Sequence, residues 1–208
     1  MSAPLTLLHT AQVHQETFDR LRAAIAPQAV LAHHIRADWL EVVQRDGITA
    51  RLRDDLRTFV EDSEGPVLCT CTSLGPAAEA LGALRIDTPM MEIAAQSAAP
   101  ILVVYVLQST AIPTLSHLLH ACERAGNTPP IIELYLPDTW PLFQANNTSK
   151  FTQEIAKAIR GTLANHPEIG TVVLAQASMA GAARMLADMP QTVLTSPETA
   201  LKSALALA

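Results

Sequence analysis

Short apolar runs alternate along this chain with longer stretches in which apolar residues recur every three to four positions. Leu5-Thr6-Leu7-Leu8 reads as a buried strand, followed by a helix from His14 to Ile25. Val30 to Ile35 reads as a second strand. Between Thr49 and Glu61, the apolar residues Leu52, Leu56, Phe59 and Val60 share one helix face. Pro66 to Thr70 is a third strand, and Pro76 to Leu84 a helix with proline in its first turn. The pattern then starts again. Ile101 to Leu107 is the strongest strand signal in the chain. The helix from Pro113 to Ala125 places Leu115, Leu118, Leu119 and Cys122 on one face, with Gly126 as its stop. Ile131 to Leu136 reads as a strand, Lys150 to Ala164 as a helix, Thr171 to Ala175 as a strand and Ala180 to Ala187 as a helix. Val193-Leu194 is a short strand, and Ser196 caps a last helix running to Ala208.

Strands this continuously apolar, alternating with helices, predict an α/β fold with parallel sheets. Val67 to Gly75 and Val172 to Gly181 both run strand, small polar loop, helix. One such loop per half predicts two pseudo-symmetric lobes, each a parallel sheet flanked by helices, facing each other across a cleft. Lobe one takes residues 1–97 plus 193–208 and lobe two residues 98–192. Ligands of such sheets bind beyond the strand C-termini.

Composition narrows the function classes. Of 208 residues, 49% are hydrophobic and 16% charged, which excludes a disordered chain. A net charge of −6 without a basic stripe argues against nucleic acid as a partner. The longest apolar run, Ala98 to Leu107, is too short to span a bilayer, so no membrane partner is expected. Met-Ser-Ala-Pro precedes Leu5 without a basic segment, which predicts no secretory signal. Asn146-Asn147-Thr148-Ser149 matches glycosylation sequons and is read as a plain loop. Cysteines 69, 71 and 122 are too few for a disulfide framework and suit a reducing cytoplasm.

Cys71-Thr72-Ser73-Leu74-Gly75 is the most informative stretch, because it joins a buried strand to a helix. Amides and dipole at a helix start lower a nearby thiol's pKa, and with the Thr72 and Ser73 hydroxyls they can hold a carboxylate. The alternative, that Cys71 is a small core residue, stays open. Cys69 shares a face with Cys71 but reads as buried, and Cys122 as core. His33 and His34 point to opposite faces, and His117 and His120 lack a companion ligand and read as solvated surface, so no metal site is expected. His9-Thr10 ends the first strand and faces the cleft, as a binding residue or a turn polar group. The loop Leu107-Gln108-Ser109-Thr110 offers donors, Gln108 among them. In Ala175-Gln176-Ala177-Ser178-Met179, Ser178 fits a helix cap, whereas Gln176 is neither a favoured cap nor a core residue and suits a carboxylate or carbonyl.

On these residues the chain resembles the aspartate/glutamate/hydantoin racemase superfamily, which uses no pyridoxal phosphate. The resemblance covers nearly the whole chain. It rests on Leu8-His9-Thr10, Asp38-Trp39-Leu40, Cys69 to Gly75, the Leu107-to-Thr110 loop, Val173 to Met179 and Val193 to Pro197. Leu174-Ala175-Gln176-Ala177-Ser178-Met179 is the most specific string, similar to one in a racemase-like branch. The resemblance implies two α/β lobes with the active site between them and no cofactor. In the family's racemases one cysteine from each lobe flanks the substrate α-carbon. One thiolate removes the proton and the other thiol delivers one to the opposite face. Arylmalonate decarboxylases keep only the second-lobe cysteine.

Carried onto this sequence, Cys71 matches the first cysteine, and Thr72 and Ser73 match the donors that hold a substrate carboxylate. Gln176 stands where the second cysteine belongs. An amide exchanges no proton at neutral pH, so the implied activity is cysteine acid/base or nucleophilic chemistry at the α-carbon of a small carboxylic acid, without two-base racemisation. Cys71 is the expected catalytic residue, and His9, Thr10, Thr72, Ser73, Gln108, Gln176 and Ser178 the expected substrate contacts. A non-catalytic sensor of small carboxylates on the same fold is the alternative, and a homodimer is the default assembly.

Overall fold

The structure, a computed structural model, describes residues 3–207. Met1, Ser2 and Ala208, the outer limits of the expected first lobe and of its last helix, lie outside the described residues. The described residues form two compact units, one of residues 3–89 with 197–207 and one of residues 90–196.

In the first unit the strands are β1 Leu5–His9, β2 Leu31–Ile35, β3 Val67–Cys69 and β4 Leu84–Arg85. Its helices are α1 Val13–Ile25, α2 Ala37–Asp46, α3 Ala50–Glu61, α4 Gly75–Glu79 and the start of α5 Thr88–Ala94. The sheet is parallel, in the order β2-β1-β3-β4. One face carries Leu8 and Cys69 and packs on Trp39, Val43, Leu52 and Leu56 of α2 and α3. On the other face the His9 ring meets Phe18 of α1 at 5.5 Å between centroids. Thr49 caps α3 by accepting the Leu52 amide at 3.1 Å.

The second unit repeats this plan. Its strands are β5 Ile101–Tyr105, β6 Ile131–Tyr135, β7 Thr171–Leu174 and β8 Thr192–Thr195, all parallel, in the order β6-β5-β7-β8. Helices α6 Gln108–Ala125, α7 Trp140–Gln144 and α8 Thr148–Asn165 follow in chain order, with 3-10 turns at Pro137–Thr139 and Ala177–Leu186. Phe151, Ile155, Ile159 and Leu163 of α8 cover one sheet face. Leu118, Ala121 and Cys122 of α6, with Met90 and Met91 of α5, cover the other. Residues 197–207, which include all but the first residue of the last helix, α9 Ser196–Leu205, return to the first unit.

Several expected elements change. The helix expected from Pro76 to Leu84 ends at Glu79, and Gly82, at φ +92°, turns the chain so that Leu84 enters β4 instead. The helix expected from Pro113 starts five residues earlier, at Gln108, and Pro113 sits inside it. Proline there forfeits the amide bond to the Ser109 carbonyl and crowds that carbonyl, a cost confined to the second turn of the helix. Leu119 turns outward at 51% exposure, while His117, expected on the surface, is buried at 7%. The helix expected from Ala180 to Ala187 begins at Ala177 and winds as a 3-10 helix to Leu186. Helices α5 and α7, of seven and five residues, are too short to stand out in the pattern, and α2 Ala37–Asp46 is a further helix that the pattern did not predict.

Candidate functional site

The strand registers let equivalent positions in the two units be matched. Leu8 pairs with Cys69 in the first sheet, as Val104 pairs with Leu174 in the second. Counting on from these pairs, Thr10 is equivalent to Val106, Cys71 to Gln176 and Ser73 to Ser178. The same two amide bonds stabilise both crossings: Thr70 N–H to the Leu8 carbonyl and Ala175 N–H to the Val104 carbonyl, each 3.0 Å.

Cys71 leaves β3 and opens the turn into α4. The turn is closed by the Leu74 amide on the Cys71 carbonyl and the Gly75 amide on the Thr72 carbonyl, both 3.2 Å. The residue is 8% exposed. Burial pushes its thiol pKa up, against the pull of the Thr10 hydroxyl and of the Leu74 and Ser73 amides, all hydrogen-bonded to the sulfur. The helix start therefore does not win: the thiol is held above its ordinary range, contrary to the expectation of a lowered pKa. Thr72 and Ser73 are buried beside it. Cys69 is fully buried and donates its thiol to the Cys71 carbonyl at 3.6 Å, and burial pushes its pKa up strongly.

His9 is the last residue of β1 and not a turn group. Strand alternation sends its ring under α1, where it is 0% exposed. The Thr70 hydroxyl donates to the Leu8 carbonyl at 3.0 Å, so at 2.8 Å it accepts from His9 Nδ1. His9 Nε2 then accepts from His33 Nδ1 at 2.8 Å. Desolvation, with the neighbouring His14, His33 and His34, lowers the His9 pKa from 6.5 to about 3, and burial lowers that of His14 to about 4. The second unit has its own polar bond between the equivalent positions. The Tyr105 hydroxyl donates to Glu133 at 2.8 Å, and desolvation with that bond raises the Tyr105 pKa to about 12.

Gln176 is buried, and its side-chain carbonyl accepts the Val106 amide at 2.8 Å and the Leu107 amide at 3.4 Å. Ser178 caps nothing. It is the second residue of the 3-10 turn, and its buried hydroxyl has no hydrogen-bond partner among the described residues. Gln108 is the first residue of α6 and exposed, so the expected donor loop is a helical turn. Among the described residues no cluster of histidine, cysteine and acidic side chains could hold a metal, and no helix is long and apolar enough to cross a membrane.

The sequence reading passed over one buried ion pair. Arg85 Nε and Nη2 bind the two carboxylate oxygens of Asp87 at 3.0 and 2.9 Å, and Glu79 lies 3.4 Å from Nη1. Two opposite charges at i, i+2 in an otherwise apolar stretch, Leu84-Arg85-Ile86-Asp87, were the available signal.

Solved structures with this arrangement include a glutamate racemase from Francisella tularensis in complex with D-glutamate. It matches with a TM-score of 0.68 over 99% of this chain and 80% of its own, at 10% identity. The chain has the Asp/Glu racemase fold. An aspartate racemase from Picrophilus torridus shares this racemase fold with a TM-score of 0.66, 12% identity and coverage of 98% and 94%. So does an allantoin racemase from Klebsiella pneumoniae, at 0.59, 17%, and 99% and 87%. No protein-family model and no curated protein matches the chain. At these identities the racemase likeness is one of fold, and chemistry has to be argued from this chain's own side chains.

Proposed function

We propose that the protein is a cofactor-independent enzyme that moves a proton at the α-carbon of a small carboxylic acid from one side only, with Cys71 as its single acid/base. The observation that carries this reading is the contrast between equivalent positions. Three donors, from Thr10, Ser73 and Leu74, meet the Cys71 sulfur. At the equivalent position Gln176 offers an amide, tied to the Val106 and Leu107 backbone.

A buried thiol is neutral at rest, which suits a proton donor. If a ligand loses carbon dioxide, the electron pair of the broken bond stays on the α-carbon as an enediolate. Cys71 S–H then supplies the proton, and the new thiolate rests on the same three donors until solvent reprotonates it. Exchange without decarboxylation runs through the same pair of states: the thiolate takes the α-proton and returns one to the same face. Thr72 and Ser73, buried beside Cys71, are the proposed carboxylate contacts.

The test is incubation of small mono- and dicarboxylic acids in deuterated water, followed by mass spectrometry and carbon dioxide detection. Wild type should label or decarboxylate at least one acid with a single stereochemistry, and Cys71→Ala should do neither. The burial of Cys71 also suits a non-catalytic carboxylate sensor. A sensor would show a ligand-induced rise in Tm without label or carbon dioxide in any arm.

A further inference from the structure

The Arg85–Asp87 pair lies at the end of β4, on the edge next to the strand that carries Cys71. The register pairs Cys69 with Arg85, and the Ile86 amide continues the ladder onto the Cys69 carbonyl at 3.1 Å. Two residues after Arg85 the chain has turned out of β4, and the Asp87 charge acts on the Cys71 thiol. The ion pair is deeply buried, with Asp87 wholly inaccessible and held by both arms of the guanidinium fork. The guanidinium also packs on the Cys71 turn itself. A Cβ on Gly75 would stand 3.0 Å from Arg85 Nε, so glycine there makes room for the fork.

A buried ion pair is a poor way to gain stability, since an apolar pair of similar volume does as well. Its position gives it another use. We propose that Asp87, locked by Arg85, is a positioning residue for Cys71: the pair fixes the turn that carries the thiol and keeps one carboxylate charge beside it. The proposal rests on Cys71 being the working thiol.

A fixed negative charge next to a thiol disfavours the thiolate, so Asp87 works with burial to keep Cys71 protonated. The groups that meet the thiol from the other side are the Thr10 hydroxyl at the end of β1 and the Ser73 and Leu74 amides, which favour the thiolate. Arg85 is the cation on β4, and Glu79 of α4 reaches it from a half-exposed position. Cys69, on β3, is the remaining titratable neighbour. The balance holds the proton on sulfur at rest without removing the donors needed once it leaves.

The experiment needs no substrate, so it can fail while the proposed activity stands, and the reverse. The rate of iodoacetamide labelling at Cys71, followed peptide by peptide, is measured from pH 6 to 11 on the full chain. Asp87→Asn keeps the shape and removes the charge; its labelling midpoint should fall by about one pH unit, making labelling near neutrality roughly tenfold faster. Arg85→Lys keeps the cation but cannot chelate both carboxylate oxygens, and its midpoint should rise. Opposite shifts are something a merely structural pair would not produce. If one variant fails to fold, the direction in the other decides. An unmoved midpoint in a folded variant, both midpoints moving the same way, or faster labelling at every pH with the wild-type midpoint would overturn the proposal.

Discussion

The Gln176 side-chain carbonyl accepts the Val106 amide at 2.8 Å. In the first unit the residues at the equivalent positions are Thr10 and Cys71, and there it is the Thr10 hydroxyl that acts on the sulfur. The equivalent positions thus hold a thiol met by a side-chain hydroxyl in one unit and an amide tied to the backbone in the other. Two-base inversion needs an acid on the face opposite the base. Wild type should therefore show negligible racemisation of aspartate or glutamate, and any deuterium should enter one face of the α-carbon. Chiral chromatography after exchange in deuterated water checks this, and efficient inversion by wild type would end the reading of Gln176.

Replacing Gln176 separates its structural bond from its chemistry. Gln176→Ala leaves the Val106 and Leu107 amides without their acceptor and should cost about 1–2 kcal/mol in urea unfolding. Gln176→Cys should lose a similar amount but gain weak inversion of whichever acid wild type labels. Full stability in Gln176→Ala would show that the bond matters little.

Cys71→Ala should abolish labelling and decarboxylation at a cost of about 1 kcal/mol in urea unfolding, since the sulfur is a buried member of the first unit's core. Cys122→Ala should keep activity and lose about 1 kcal/mol, because Cys122 packs inside the second unit's core against α5 and β5 and truncation leaves a cavity. A folded Cys71→Ala protein with full turnover would refute the mechanism.

Thr10→Val removes a donor to the Cys71 sulfur without changing side-chain size much. The thiol should then titrate higher still, and labelling at pH 8 should slow severalfold. Labelling at the wild-type rate would mean that the hydroxyl does not act on the sulfur.

His9 and His14 set the acid limit of stability. Both pKa values are depressed in the folded state, to about 3 and about 4, against 6.5 when unfolded. The unfolded chain therefore binds more protons below pH 6.5. Stability is fully present above that value and drains away as pH falls through the window down to about 4 and 3, by about 2 kcal/mol per ring at pH 5. The buried thiols act at the other end: their raised pKa values make stability decline as pH climbs above the ordinary 9.0. Urea midpoints across pH 4.5–7.5 test the acid side, and a flat profile would contradict it.

Much of this was legible in the sequence because strands with both faces buried are apolar throughout, and β1, β3, β5 and β7 all stand out that way. The turn carrying Cys71 was legible for the same reason, as a polar break between such a strand and a helix. Direction was not. Whether His9 looks under α1 or past the strand end depends on where β1 stops, and one residue of difference reverses the side. Gln176 was visible as an anomaly, but its bond to Val106 joins residues 70 positions apart and needed the β5–β7 register. The thiol's raised pKa depends on how deeply α4 and β4 bury it, and β4 itself was hidden inside a predicted helix.

Residues 197–207 belong with residues 3–89, although a whole unit separates them along the chain. Ala200, Leu201 and Ala204 of α9 are buried. During synthesis the first unit's sheet and the Cys71 turn emerge early, yet their last helix leaves the ribosome only after the second unit has been made. The first unit is thus completed only after the whole of the second has been made.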